Sequence, residues 1–182
     1  MNVETTFIQD LVVLTPDVFE DSRGYFFEGY NKNKMRSLGI DIEFVQDNQS
    51  FSQRGTLRGL HYQNPPYAQT KLVRVLQGEI MDVAVDLRKD SPTYGQHFTI
   101  RLSSENKKQL LVPQGFAHGF SVLSETAVVL YKCDQFYNKA SEGGIRFDDP
   151  TLAIDWGMDF KDAIVSDKDG VLPSFEACNS QF

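Results

Sequence analysis

Between Ile80 and Arg88 the sequence alternates with a period of two: Met81, Val83, Val85 and Leu87 interleave with Asp82, Ala84, Asp86 and Arg88. Residues two apart lie on one face of an extended strand, so this run suits a sheet and cannot gather its apolar side chains along one stripe of a helix. One face is apolar and the other carries carboxylates. Gln77-Gly78 separates this run from the apolar stretch Leu72 to Leu76, a pattern that predicts a hairpin.

Similar short runs recur at Leu11 to Leu14, Gly24 to Tyr30, Glu43 to Ser50, Phe98 to Leu102, Gln109 to Val112, Gly119 to Leu123 and Ala127 to Cys133. So many closely spaced strands predict an all-β sandwich, jelly roll or barrel. Helical signals are few: Asn31 can cap a short helix that carries Met35 and Leu38 and stops at Gly39, and residues 159–169 can add a turn or two. The acidic, aromatic C-terminal part, with Trp156, Phe160 and Phe175, is expected to pack on the β core, which makes residues 1–182 one domain.

Charge narrows the partners. A net charge of -7 gives no overall pull toward nucleic acid or an anionic membrane, so an anionic ligand must meet a local arginine cluster. No apolar run approaches the roughly 20 residues of a membrane span. Glu4, Thr5, Thr6 and Asp10 interrupt the apolar residues near the start, unlike a signal peptide, so a cytoplasmic protein is expected. Cys133 and Cys178 are too few for a disulfide framework and lack metal-ligand spacing.

Reactive groups concentrate in two segments. His61 lies in the strand-like run Arg58-Gly59-Leu60-His61-Tyr62, and Lys71 enters the apolar run Leu72-Val73. Histidine accepts a proton near neutral pH, and a nearby ammonium stabilises the enolate oxygen created when a proton leaves a carbon beside a carbonyl. Each residue also has a plainer reading, as a structural histidine and a solvated strand end. Asp169, in the charged turn Ser166-Asp167-Lys168-Asp169, could hold His61 in one tautomer.

Pro113-x-Gly115-x-x-His118 resembles half of the cupin signature, but His61-Tyr62-Gln63 has glutamine where metal cupins carry a second histidine. Two histidines without a clear carboxylate partner make a poor metal site, so no metal is expected and His118 is read as a hydrogen-bonding group. Arg23-Gly24, Arg58-Gly59 and Arg74 offer guanidinium forks suited to phosphate oxygens, and Gln46-Asp47-Asn48 could read hydroxyl, phosphate or base edges. Tyr131 and Tyr137 could serve as a proton donor and a flat surface for a nucleobase, or simply sit at the core's edge.

Together these segments resemble the dTDP-4-dehydrorhamnose 3,5-epimerase family. The likeness runs from Asp21-Ser22-Arg23-Gly24-Tyr25-Phe26-Phe27-Glu28 through Phe44-Val45-Gln46-Asp47-Asn48, Leu57 to His61, Lys71 to Arg74 and Asp82 to Asp86. It continues through Ser91 to Gly95, Pro113 to Phe120 and Ser141-Glu142-Gly143 to the Ser166 to Asp169 turn.

The resemblance implies a cofactor-free, metal-independent cupin-like jelly roll in the dTDP-L-rhamnose pathway. It also implies a homodimer whose N-terminal strands complete the partner's site, acting on dTDP-4-dehydro-6-deoxy-D-glucose. His61 falls on the general base, Asp169 on its carboxylate partner, Lys71 on the enolate-stabilising lysine and Tyr131 on the opposite-face acid. Arg23, Phe26, Glu28, Gln46, Asp47, Asn48, Arg58, His118, Glu142 and Lys168 fall on or beside ligand-contacting positions, with Tyr137 on the aromatic that stacks on thymine.

One tension accompanies this reading. Arg58 and His61 have opposite parity and would leave a regular strand on opposite faces. Either Gly59 permits a bulge or Arg58 reaches around the strand rim.

Overall fold

The computed structural model describes residues 1–182. In chain order the strands are β1 (Asn2–Thr5), β2 (Val12–Thr15), β3 (Val18–Asp21), β4 (Gly24–Phe27), β5 (Gln46–Gln53), β6 (Thr56–Gln63) and β7 (Lys71–Gln77). They continue as β8 (Glu79–Asp86), β9 (His97–Ser103), β10 (Gln109–Val112), β11 (Phe116–Val122), β12 (Thr126–Cys133), β13 (Glu142–Gly144) and β14 (Ile164–Val165). The single α-helix, α1 (Lys32–Ser37), is capped by Asn31, whose side chain accepts from the N–H groups of Asn33 and Lys34. Its one buried residue is Met35. No helix is long and apolar enough to cross a membrane.

Two sheets form the body, one in the order β1-β2-β10-β7-β12-β5 and the other β13-β6-β11-β8-β9, with β14 added beside β6. Between them lies the main core: Val13, Val73, Val75, Leu110, Val112, Ala127 and Val129 from the first sheet meet Ile80, Ala84, Leu102, Phe116, Phe120 and Val122 from the second. This is the expected cupin-like jelly roll.

The expected hairpin at Gln77-Gly78 is not one. β7 pairs with β10 and β12 in the first sheet, whereas β8 pairs with β11 and β9 in the second. The turn carries the chain from one sheet to the other. A sheet-crossing corner needs the same sharp turn between two apolar runs, so local sequence does not separate the two cases.

Alternation in β8 has a corresponding twist. Its apolar residues Val83, Val85 and Leu87 face away from the inter-sheet core and are buried beneath the C-terminal segment, against Leu152, Ile154 and Trp156. Asp82 shares the inward parity of Ile80 and Ala84. The C-terminal part thus packs on the β core as expected. Its β14 runs parallel to the start of β6, with Val165 beside Leu57, and delivers Ser166 to Asp169 to the rim of the sandwich.

β3 and β4 stand apart, paired with each other and with neither main sheet. Phe19 and Phe26 are both largely exposed on this hairpin.

Candidate active site

Inward-facing positions change character toward one end of the sandwich. On β7 the sequence Val75, Val73, Lys71 runs outward along one face; on β12 the matching series is Ala127, Val129, Tyr131, with Val129 opposite Val75 and Tyr131 opposite Val73. β5 continues the row, because Asn48 lies opposite Tyr131 and Gln46 opposite Cys133. From the other sheet His118 and Asp82 occupy inward positions on β11 and β8. Apolar burial at one end therefore gives way to titratable groups at the other, with no change of strand.

Arg58 joins them through a bulge. His118 pairs with His61 and Phe120 with Arg58, so three steps along β6 match two along β11. The additional residue reverses parity, and Arg58 and His61 both face the cavity. Gly59 makes this possible: its φ is +122°, and a Cβ there would lie 2.6 Å from the Gly119 Cα and 2.9 Å from the His118 carbonyl oxygen. Arg58 Nε donates to Ser52 Oγ at 3.1 Å.

Two histidine–carboxylate pairs flank this space. His61 Nε2 is 2.7 Å from Asp169 Oδ1, while the Gly59 N–H donates to the other oxygen, Oδ2, at 3.1 Å. Burial pushes the Asp169 carboxyl upward, but the His61 hydrogen bond and charge, aided by the Gly59 N–H, hold it below the usual carboxylate range. An ionised carboxylate only accepts, so Nε2 carries the proton and Nδ1 is left as the basic nitrogen. His118 Nε2 makes the second pair with Asp82 Oδ1 at 2.8 Å. Side-chain exposure is 29% for His61 and 8% for His118, which makes His61 the imidazole a substrate can reach.

Asp169 is the carboxylate expected beside His61, whereas the partner of His118 was not foreseen. Each histidine has one, used as a hydrogen-bond acceptor. Asp82 was not among the expected site residues; its alternation in β8 was visible, but not that its face pointed inward. Its second oxygen, Oδ2, is buried without a hydrogen-bond partner.

Lys71 and Tyr131 occupy the first sheet's side of the cavity, the ammonium 5.9 Å from the tyrosine ring centre. Burial lowers the Lys71 pKa, opposed by the nearby Cys133, Asp82 and Glu142 groups. Burial likewise raises the pKa of Tyr131, keeping its phenol protonated. His61, Lys71 and Tyr131 line two adjoining cavities of 390 and 300 Å³, the first also bounded by Gln46, Asn48, Tyr137 and Glu142, the second by Arg58, His118, Lys168 and Asp169.

At the mouth, Tyr137 is 55% exposed and presents its ring to solvent. Its hydroxyl donates to Glu142 Oε2 at 3.1 Å, and Lys168 pairs with the other oxygen of Glu142. Gln46 Oε1 accepts from the Tyr137 N–H at 3.2 Å, which ties this ring to β5.

Five expected or candidate residues lie elsewhere. Asp47 and Arg74 alternate to the outer face of the first sheet, where Asp47 pairs with Lys132 at 2.9 Å. Asp47 is therefore corrected: lying between Gln46 and Asn48, it has the opposite parity. Arg23 and Phe26 are on the β3–β4 hairpin, Arg23 forked onto Asp21, outside this chain's own cavity. Glu28 follows that hairpin, accepting from Asn31 Nδ2 and pairing with Lys34, both at 2.9 Å.

Known proteins resemble this chain in both sequence and fold. The sequence model of the family described as dTDP-4-dehydrorhamnose 3,5-epimerase matches residues 5–177. A Shigella flexneri protein named dTDP-4-dehydrorhamnose 3,5-epimerase is 51% identical over 170 residues, covering 93% of each chain. The crystal structure of the enzyme of that name from Elizabethkingia anophelis superposes with a TM-score of 0.93 at 53% identity, over 97% of both chains. A Legionella pneumophila 3,5-epimerase solved with dTDP-4-keto-L-rhamnose gives a TM-score of 0.93 at 46% identity, over 97% of this chain and 93% of that one. With the likeness spanning nearly the whole sequence and the whole fold, this chain belongs to the dTDP-4-dehydrorhamnose 3,5-epimerase family.

Proposed function

We propose that this chain converts dTDP-4-dehydro-6-deoxy-D-glucose into dTDP-4-dehydro-L-rhamnose by inverting C3 and C5. The observation that carries this reading is the placement of His61 on one sheet and Tyr131 on the other, across a shared cavity with Lys71 between apolar core and mouth.

The C4 ketone acidifies the protons on C3 and C5. His61 Nδ1 removes one of them, with Asp169 stabilising the imidazolium that forms. Charge moves to the C4 oxygen, where the Lys71 ammonium meets it in a site of low dielectric. Tyr131 then returns a proton to the opposite face of the carbon, which inverts it. Each inversion leaves His61 with a proton gained and Tyr131 with one lost, and exchange with solvent resets the pair. Nothing is oxidised or reduced, so the chemistry calls for no redox cofactor.

For the nucleotide, Tyr137 offers its exposed ring to thymine, and Arg58 offers a guanidinium to the diphosphate. Gln46, Asn48, His118, Glu142 and Lys168 line the rest of the cleft. The cavity of one chain lacks Arg23, Phe26 and Glu28. Their place on and beside an exposed hairpin supports a homodimer in which each N-terminal arm completes the other's site. The reading keeps the expectation of a cytoplasmic enzyme.

Incubation with dTDP-4-dehydro-6-deoxyglucose in heavy water tests the proposal. Deuterium is expected at both C3 and C5 of the product by NMR. Exchange at C3 alone would make this a 3-epimerase, and exchange at neither carbon would end the proposal.

A further inference from the structure

Arg74 closes the Lys71 to Arg74 segment, but unlike Lys71 it takes no part in the active site. It is half-buried on the outer face of the first sheet, and its guanidinium lies 5.7 Å from the Phe27 ring centre. Burial lowers its pKa, with Asp47 and Tyr25 opposing. A guanidinium placed this way is held by an aromatic face rather than by a carboxylate.

Phe27 is one rung of a ladder. Its ring stacks on Tyr25 at 5.9 Å with 24° between planes, and Lys107 Nζ sits 4.0 Å from the Tyr25 ring centre. The order is cation, ring, ring, cation: the cations come from the body, the rings from β4. Tyr25 and Phe27, two residues apart, share one face of that strand. Phe26 faces the other way and is 69% exposed, and Arg23 at the turn has a side chain 88% exposed.

The root of the hairpin is fastened at the same place. Gln109 Nε2 donates to the Gly29 carbonyl oxygen at 2.8 Å, and a Cβ on Gly29 would lie 2.3 Å from Arg74 Nη1. A two-stranded hairpin on its own is marginal in water, so its direction depends on what it is fastened to. Here the fastening engages one face and leaves Phe26 exposed on the other, with Arg23 at the turn bound only to Asp21 within the hairpin.

We propose that Arg74 and Lys107 are positioning residues acting in trans: by clamping Phe27 and Tyr25 they aim Arg23 and Phe26 into the active site of a second copy of this chain. The inference rests on the homodimeric epimerase reading above. The clamp contributes to nucleotide-sugar binding in the partner and touches no reacting atom.

Arg74→Met and Lys107→Met each remove a cation while keeping an unbranched side chain. Either is expected to raise KM for the dTDP-sugar, and the pair together by about 5- to 30-fold, with kcat little changed. Arg74→Lys, which keeps a cation over Phe27, should recover part of the loss. Mixed dimers locate the effect. When Arg74→Met shares a chain with His61→Ala and the partner is otherwise native, the one working site receives the altered arm, and KM should rise. When Arg74→Met lies instead in the chain with intact His61, that site receives a normal arm, and KM should be native. If Arg74→Met does not fold, Lys107→Met takes its place in the mixed dimers. A KM that follows the chain with intact His61, or that does not move in either arrangement, overturns the proposal. Loss of the epimerase reading itself would appear separately, as native protein that does not turn the substrate over.

Discussion

The two ends of the inter-sheet space use the same strands and the same inward parity but hold opposite chemistry. At the closed end Val75, Val129 and Ala127 pack against Ile80, Phe120 and Val122; at the open end Lys71, Tyr131, His118 and Asp82 stand on continuations of those rows. The fold therefore requires a position to face inward, not to be apolar, once the strand reaches the cavity. What changes is the cost. Burial disfavours the charged form of Lys71 and raises the pKa of both Tyr131 and Cys133, penalties absent at the apolar end.

Exchanging chemistry between the ends is the strongest way to break this comparison. Lys71→Met should lower turnover by about 10²–10³, the usual loss for one preorganised oxyanion contact, while raising thermal stability. A less stable variant would show that the open end is packed around the ammonium rather than tolerating it. The same residue predicts a pH effect. A lysine with a lowered pKa loses its proton earlier as pH rises, so activity should fall on the basic side below the ordinary lysine value of about 10.4. Lys71→Arg should remove that limb within the stable range.

At the closed end, Ile80→Ala should cost roughly 2–5 kcal/mol in denaturant unfolding while leaving kcat per folded molecule unchanged. A matching fall in kcat would mean that the ends are coupled. The smallest effect belongs to the outer face. Asp47→Ala breaks only the pair with Lys132 and should change stability by less than about 1 kcal/mol, with turnover unaltered. A large loss of activity would put Asp47 back in the site.

Much of this was legible where chemistry is local. Gln109 to Val112 reads as a strand because four apolar or β-compatible residues are bounded by turns, and the Asn31 cap announces a helix that forms. His61, Lys71 and Asp169 could be nominated, and the Gly59 bulge framed as an alternative, because parity conflicts are visible in sequence. Other features depend on partners distant in the chain. Gln77-Gly78 does not reveal whether the next strand returns to its own sheet, and Asp82 gains meaning only when β11 brings His118 beside β8. β3 was missed because Val18-Phe19-Glu20-Asp21 pairs only with β4 and buries little.

The central claim is that base and acid stand on opposite sheets and divide the work of inversion. Deuterium exchange and stereochemical outcome, followed together by NMR for His61→Ala and Tyr131→Phe, test it most directly. His61→Ala is predicted to lose exchange altogether, whereas Tyr131→Phe should still exchange protons at the carbons beside the ketone but yield far less inverted sugar. Inversion at the native rate in Tyr131→Phe, or unchanged exchange in His61→Ala, would contradict the account.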